Sequence, residues 1–200
     1  HCVVVGNTAY IGGGGFASTF ENCLLRGNVA DFAGGAQYSD LGHCTVVGNS
    51  ASTEGGGVAL CQGHDCIMVS NCAPNGPNWW SSDYGWAHTC TAPLLSGEGN
   101  ITDDPCFVDY EGGNFRLASN SPCINRGSNC VFTVDLDGNP RIQCGVIDMG
   151  AYESSYWGMY SDVDNDRMID HDEIVAGTDP LNAYSFLGLE SLMALGSGEF

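Results

Sequence analysis

The chain has no lysine and only five arginines, against 24 acidic residues, giving a formal charge of −19 over 200 residues. That excludes nucleic acid as a partner, because a nucleic-acid binder needs a basic footprint to displace phosphate counterions. Anionic membranes and bare polyanionic substrates are disfavoured too, unless a divalent cation mediates the contact. No apolar run approaches the roughly 20 residues that cross a bilayer, so membrane insertion is not expected. A C-x-x-C pair is also missing, although cysteine is abundant, with 11 in the chain. The spacing Cys61-x-x-His64-x-Cys66 could hold a metal but has no second half. An oxidising extracellular setting with several disulfides accounts better for so many cysteines. There is neither an initiator Met nor a signal peptide, and the chain opens inside a repeat. A fragment or processed product is therefore expected.

The 43% hydrophobic content is enough for a packed core, so the low charged fraction does not signal disorder. The dominant feature is an internal repeat. "CVVVGNTAYIGGGG" at residues 2–15 returns as "CLLRGNVADFAGG" and then as "CTVVGNSASTEGGG", each copy 21 residues after the last. The alignment places Cys2, Cys23 and Cys44 in one column, and Asn7, Asn28 and Asn49, each preceded by Gly, in another. Ala9, Ala30 and Ala51 form a third column, and the pairs Gly13-Gly14, Gly34-Gly35 and Gly55-Gly56 a fourth. A further copy starts at Cys66, where Asn71 keeps the asparagine column after one extra residue.

Short β-prone runs separated by Gly and Asn leave no room for a helix of more than one or two turns. A unit of this length suits one rung of a right-handed parallel β-helix, an all-β solenoid. Rungs stack about 4.8 Å apart, so identical side chains lie above one another. A buried Asn then bonds its neighbours in the file, and Gly takes the positive φ of a corner. The stacked cysteines read as small buried hydrophobes, because parallel Cβ vectors at rung spacing suit a disulfide poorly. Cys61, Cys72, Cys90, Cys106, Cys123, Cys130 and Cys144 are the better bridge candidates, with pairing undetermined.

Residues 1–72 are thus expected to form regular rungs. Residues 73–105, rich in Trp, Gly and Pro, read as a loop excursion in which Trp79, Trp80, Tyr84 and Trp86 either stack on sugar rings or pack the loop against the solenoid. "NITDDPCFVDYEGGNFRLASNSPCINRG" and "DLDGNPRIQCGVIDMGAYE" resemble the closing coils of bacterial secreted right-handed parallel β-helix proteins, of the pectate-lyase-like superfamily with polymorphic-outer-membrane-type repeats. That resemblance implies closing coils over residues 106–153 and an extra disulfide at Cys106, where an apolar residue is usual.

Over residues 154–180, "SDVDNDRMIDHDEIVAGTDPLNAYS" contributes a segment that resembles thrombospondin type 3-like and EF-hand-like calcium loops. Asp162, Asp164, Asp166, Asp170 and Glu173 occupy positions 1, 3, 5, 9 and 12 of a twelve-residue loop, with the Met168 carbonyl at position 7. Oxygen ligands at this spacing predict a structural Ca²⁺, although Arg167 replaces the usual turn glycine. Residues 181–200 resemble the start of a following β-sandwich domain, which suggests truncation at that end as well.

Three functions remain open. The columns, acidic surface and calcium loop suit a secreted surface or matrix scaffold or adhesin, self-associating into fibres through uncovered strand edges at the coil ends. A lyase lacks a lysine base here, and no carboxylate pair among Glu21, Asp31, Asp40, Glu54 and Asp65 occupies matched columns for a hydrolase. Asp103 and Asp104 read as turn caps. The third reading is a glycan-binding module centred on the tryptophans. Asn100-Ile101-Thr102 is a lone glycosylation sequon.

Overall fold

The computed structural model describes residues 1–83, 85–128, 133–142 and 146–155, together with 168, 173, 176–179, 182, 184 and 185. The fold is a parallel β-solenoid of four turns, each built from short strands joined at tight corners. Turn one holds β1 (Cys2–Val5), β2 (Thr8–Ile11), β3 (Gly15–Phe16) and β4 (Thr19–Glu21). Turn two holds β5 (Cys23–Arg26), β6 (Val29–Phe32), β7 (Ala36–Gln37) and β8 (Asp40–Gly42). Turn three holds β9 (Thr45–Val47), β10 (Ser50–Glu54), β11 (Val58–Ala59) and β12 (Gln62–His64). β13 (Ile67–Val69), β14 (Trp79–Trp80) and β15 (Trp86–Ala87) make the fourth, and β16 (Cys90–Thr91) begins another. Strands at equivalent places in successive turns pair in parallel, in the order β1-β5-β9-β13-β16 on the first side and β4-β8-β12-β15 on the fourth.

One local rule builds every corner. A residue with positive φ turns the chain, and at three of the four corners the residue after it points its side chain inward. The turning residues are Gly6, Gly27, Gly48 and Ser70 at the first corner, and Gly12, Ala33, Gly55 and Gly76 at the second. Ala17, Tyr38, Leu60 and Ser81 turn the third, and Asn22, His43, Asp65 and His88 the fourth. A non-glycine residue in this left-handed region costs roughly 1 kcal/mol, so something must hold these corners.

The inward residue holds them. Asn49 donates Nδ2–H to the Leu25 carbonyl at 2.9 Å, while its Oδ1 accepts both the backbone N–H and the Nδ2–H of Asn28 at 2.9 Å. Asn7 binds Asn28, and Asn49 binds Asn71, in the same way at 2.9–3.0 Å. At the third corner the column is Ser18, Ser39, Cys61 and Ser82, and each side chain donates to the carbonyl two residues earlier. At the fourth it is Cys23, Cys44, Cys66 and Thr89, with the same bond. In the first three turns the second corner has glycine at this place, because a Cβ on Gly13 would sit 2.5 Å from the Gly34 carbonyl oxygen; the fourth turn has Pro77.

The described cysteines are free thiols, so no disulfide links Cys61, Cys72, Cys90, Cys106 and Cys123. The reason at Cys61 is geometric, since it fills a serine slot with its sulfur on the Ala36 and Ala59 carbonyls. Cys130 and Cys144 lie outside the described residues. The stacked glycines in turn three are Gly56 and Gly57 rather than Gly55-Gly56. A bulge between Ala51 and Glu54 adds one residue there and shifts the column.

Two expectations about organisation change. The Trp-rich segment rejoins the coil, since β14 pairs with β11, β15 with β12 and β16 with β13. Beyond it, the described part of residues 106–153 adds no closing coil. Its paired strands are an antiparallel hairpin, β17 (Phe107–Asp109) with β18 (Asn114–Leu117). This segment lies instead along the outer face of the first side. Leu24 and Val47 pack there with Phe115, Ala151 and Tyr152, and Ile67 and Cys90 with Leu117, Ile124 and Met149. Beyond β1, both faces of that sheet are therefore largely dry, which explains the apolar runs CLLR and CIMV in place of alternation. Helical backbone among the described residues is confined to Glu173 and Ala176.

The buried end of the ladder should matter more than its open end. Asn49→Ala leaves the buried Asn28 N–H without its acceptor, removes a donor from the Leu25 carbonyl and should cost about 2–3 kcal/mol. Asn7→Ala, at an exposed position, should cost less than about 1 kcal/mol. Urea unfolding of the two variants measures the difference.

Candidate functional site

The fourth corner differs from the others because its turning residues are polar. Asn, Asp and His tolerate the left-handed region better than other side chains, and the corner that uses them lines up Asn22, His43, Asp65 and His88. Asn22, His43 and Asp65 are buried beneath the covering segment. Each meets a group from that cover or its neighbourhood. The Arg141 guanidinium donates to Asn22 Oδ1, in part at 3.0 Å through Nε. Ser128 donates its N–H and its hydroxyl to the two Asp65 carboxylate oxygens at 2.7 and 2.8 Å. The Gly150 N–H reaches the Asp65 carbonyl at 2.8 Å, and His88 Nδ1 lies 3.1 Å from the Arg126 carbonyl oxygen.

Arg141 anchors this seam. It is fully buried and pairs with Glu153 at 2.6 Å, and its Nη2 also donates to the Gly150 carbonyl. Asp148 accepts N–H bonds from Asn125 and Ser154, and Asp135 accepts from Asn139 and Glu153. One cation thus stands among three buried carboxylates. Burial pushes Asp148 up to about 7 and Glu153 up to about 8, against the pull of Arg141 and the N–H donors. The landmarks "DLDGNPR" and "DMGAYE" contribute Asp135, Arg141, Asp148 and Glu153 to this network.

Next to the seam lies a chemically richer cluster. His64, on the outward face of β12, places Nδ1 2.8 Å from Asp65 Oδ2, and His43 Nδ1 lies 3.7 Å from the same oxygen. The two imidazoles meet edge to face with centroids 5.0 Å apart. Burial holds His43 down at about 4, with Arg141 adding to the effect, so this ring is neutral at pH 7. Burial alone would raise Asp65, but bonds from His64 and Ser128 outweigh it and hold the carboxyl below its ordinary value. The Asp65 hydrogen bond raises His64.

His64 also lines an open groove of about 370 Å³ with Glu21, Asp40 and Gln62. Glu21, Gly42 and His64 share one file across three turns. Because Gly42 has no side chain, the Glu21 carboxylate leans over it into the space a Cβ would fill. Burial raises the Glu21 carboxyl, and its Oε2 is buried without a hydrogen-bond partner among the described residues.

The residues singled out from the sequence fall in different places. Cys61 and Cys66 point into the core while His64 points out, so the local Cys-His-Cys spacing brings no metal ligands together. Trp86 is buried in the core with its indole N–H on the Cys61 carbonyl at 3.1 Å. Trp79 is half-buried against the same core and donates to the Pro93 carbonyl, whereas Trp80 is exposed. No shared platform forms from these three, and Tyr84 lies outside the described residues. Asp162, Asp164, Asp166 and Asp170 of the calcium loop also lie outside them; Met168 is half-buried and Glu173 buried. The sequon residue Asn100 is engaged, accepting the Thr89 N–H at 2.8 Å and donating to the Trp86 and Leu95 carbonyls. His43 escaped notice because it pairs with a residue 22 positions on, across a rung. The signal was present in the alignment, which files Asn22, His43 and Asp65 behind one another.

Comparison with protein-family models, curated proteins and solved structures yields no match for this chain.

The seam predicts a pH response. Asp148 and Glu153 have folded values above their ordinary 3.8 and 4.5, so the folded state binds more protons than the unfolded one. Their contribution is complete below about pH 4 and is lost as pH rises through 7 and 8. Stability should therefore fall by on the order of 1–3 kcal/mol between pH 6 and pH 9. Glu153→Gln should flatten that profile in thermal melts.

Proposed function

We propose that this chain is part of a structural scaffold of an extracellular surface or matrix, stiffened by calcium, whose first described turn is covered by a further strand edge, either from more turns of the same chain or from a second copy. The observation that carries this reading is the unequal finish of the two solenoid ends. At the far end the ladders of the first and fourth corners are closed. Asn78 accepts from Asn71 and donates to the Ala92 carbonyl, Asn100 accepts from Thr89, and Leu95 seals the core. At the near end, Asn7 is exposed with its side-chain oxygen in the slot that accepts a neighbouring rung. Around it Val3, Val5, Tyr10, Ile11 and Phe16 are also exposed.

An uncovered parallel edge with apolar flanks templates association. Where a second copy supplies that cover, fibre growth would need two complementary ends, and the closed far end favours a two-fold pair. Within the expected calcium loop, Glu173 is buried and stands at the twelfth position, where a carboxylate binds Ca²⁺ with both oxygens. With its oxygen-rich neighbours it would hold Ca²⁺, which supplies stiffness rather than chemistry.

Sedimentation velocity from about 1 to 100 µM, a range that spans typical weak self-association, tests the pairing. A concentration-dependent dimer is expected, abolished by Val3→Glu with Val5→Glu. A wild-type chain that stays monomeric throughout rejects pairing between copies.

A glycosidase is the second reading, favoured by the groove. Glu21 and Asp40 both line it, on diagonal positions roughly 7–8 Å apart in backbone terms. Inverting enzymes hold their carboxyl groups about 6.5–9.5 Å apart, a spacing within reach of side chains on such diagonal positions, with the raised carboxyl as acid. Glu21 would protonate the leaving oxygen and Asp40 would activate water. Reducing ends released from neutral or uronate glycans, and lost in Glu21→Gln, would support this reading. Equal, background release by both chains would remove it.

A further inference from the structure

We propose that His43, His64 and Asp65 form a zinc site at the edge of the groove. One ligand atom from each residue lies within 4.8 Å of the other two. Two imidazoles and one carboxylate form a donor set of borderline softness that suits Zn²⁺, whereas Ca²⁺ requires six to eight oxygens. Zinc bonds of about 2.0–2.2 Å place ligand atoms on a tetrahedron a little over 3 Å apart. The present separations, 2.8 Å from His64 Nδ1 and 3.7 Å from His43 Nδ1 to Asp65 Oδ2, need only small side-chain rotations to reach it.

Three further features belong to a built site. Ser128 binds both Asp65 oxygens, the kind of outer-shell support that orients a ligating carboxylate. The corner fixes two of the ligands through the backbone, because His43 and Asp65 occupy one file with φ of 51° and 54°. The unpartnered Glu21 Oε2 leans along the file towards His64 from the groove side. Since His43 and Asp65 are buried under the cover and only His64 lines the groove, one position remains for water or a substrate oxygen. That arrangement suits four-coordinate zinc better than a metal needing three open positions. On binding, zinc replaces the hydrogen bond between His64 and Asp65, and any proton held between them leaves to solvent.

The test titrates the intact, chelator-stripped chain with Zn²⁺ by calorimetry, with excess Ca²⁺ present to occupy hard-oxygen sites. Co²⁺ substitution then reports the ligands by absorption spectroscopy. One zinc per chain is expected, bound about 100-fold more weakly or not at all by His64→Ala. The side chain of His64 is 44% exposed, so that variant should fold as the parent does, with circular dichroism as the check. The Co²⁺ spectrum should show four-coordinate d–d bands without thiolate charge transfer. Absence of binding, equal affinity in His64→Ala, or a thiolate band from the cysteines would each overturn the proposal.

Discussion

The molecule depends on closing each corner without leaving backbone groups unpaired in a core only one side chain wide. A left-handed residue turns the chain, and the next side chain enters the interior carrying a hydrogen-bonding atom. That atom binds a carbonyl of its own turn or the neighbouring one and accepts an N–H from the turn before. Asn, Ser, Thr and Cys all serve, because each has a small donor–acceptor group at short reach. Cys61 standing in a serine column shows that the requirement is for that geometry rather than one residue type. In this setting cysteine acts as a compact, weakly polar filler. Burial pushes the Cys61 thiol up to about 12, so it stays protonated and able to donate.

The same corner rule produces the chemistry. Where the turning residue is glycine or a small residue, the outer surface is plain. At the fourth corner the turning residues are Asn, His, Asp and His, and their side chains leave the coil as a polar file. The covering segment is held against that file by hydrogen bonds from Arg141, Ser128 and Gly150, while apolar contacts with Leu24, Val47 and Ile67 supply the area. Arg141 is the keystone, touching Asn22 in the coil and Glu153 and Gly150 in the cover. Removing a guanidinium from among three buried carboxylates would leave uncompensated charge, typically worth 3–5 kcal/mol.

The two solenoid ends impose different physical situations on identical repeats. A loop supplies Asn78, Leu95 and Asn100 to one end, so the first-corner and fourth-corner ladders and the core are capped there. The other end presents an exposed strand edge with apolar side chains that later turns keep covered or replace by polar ones. The position of Val3 is taken by buried Leu24 one turn on, and that of Val5 by Arg26.

Much of this was readable from residue order. A 21-residue repeat with Gly-Asn at a constant place demands stacked rungs, because only stacking brings like residues together at a fixed interval. The files of Asn7, Asn28, Asn49 and Asn71, and of Cys23, Cys44 and Cys66, follow from it directly. What repetition could not reveal is anything that departs from the period. The bulge in β10 moves the glycine pair by one place. Asn78 fills a slot that no fifth repeat occupies, and Trp86 turns inward because the strand that carries it pairs with β12. The cover, too, is aperiodic and lies on the coil through contacts more than a hundred residues distant in sequence. The sequence by itself thus determined the solenoid, since local spacing sets the rung. Only the tertiary structure decided the polar seam and the meeting of His43, His64 and Asp65, since these depend on adjacent turns and on which face each side chain leaves.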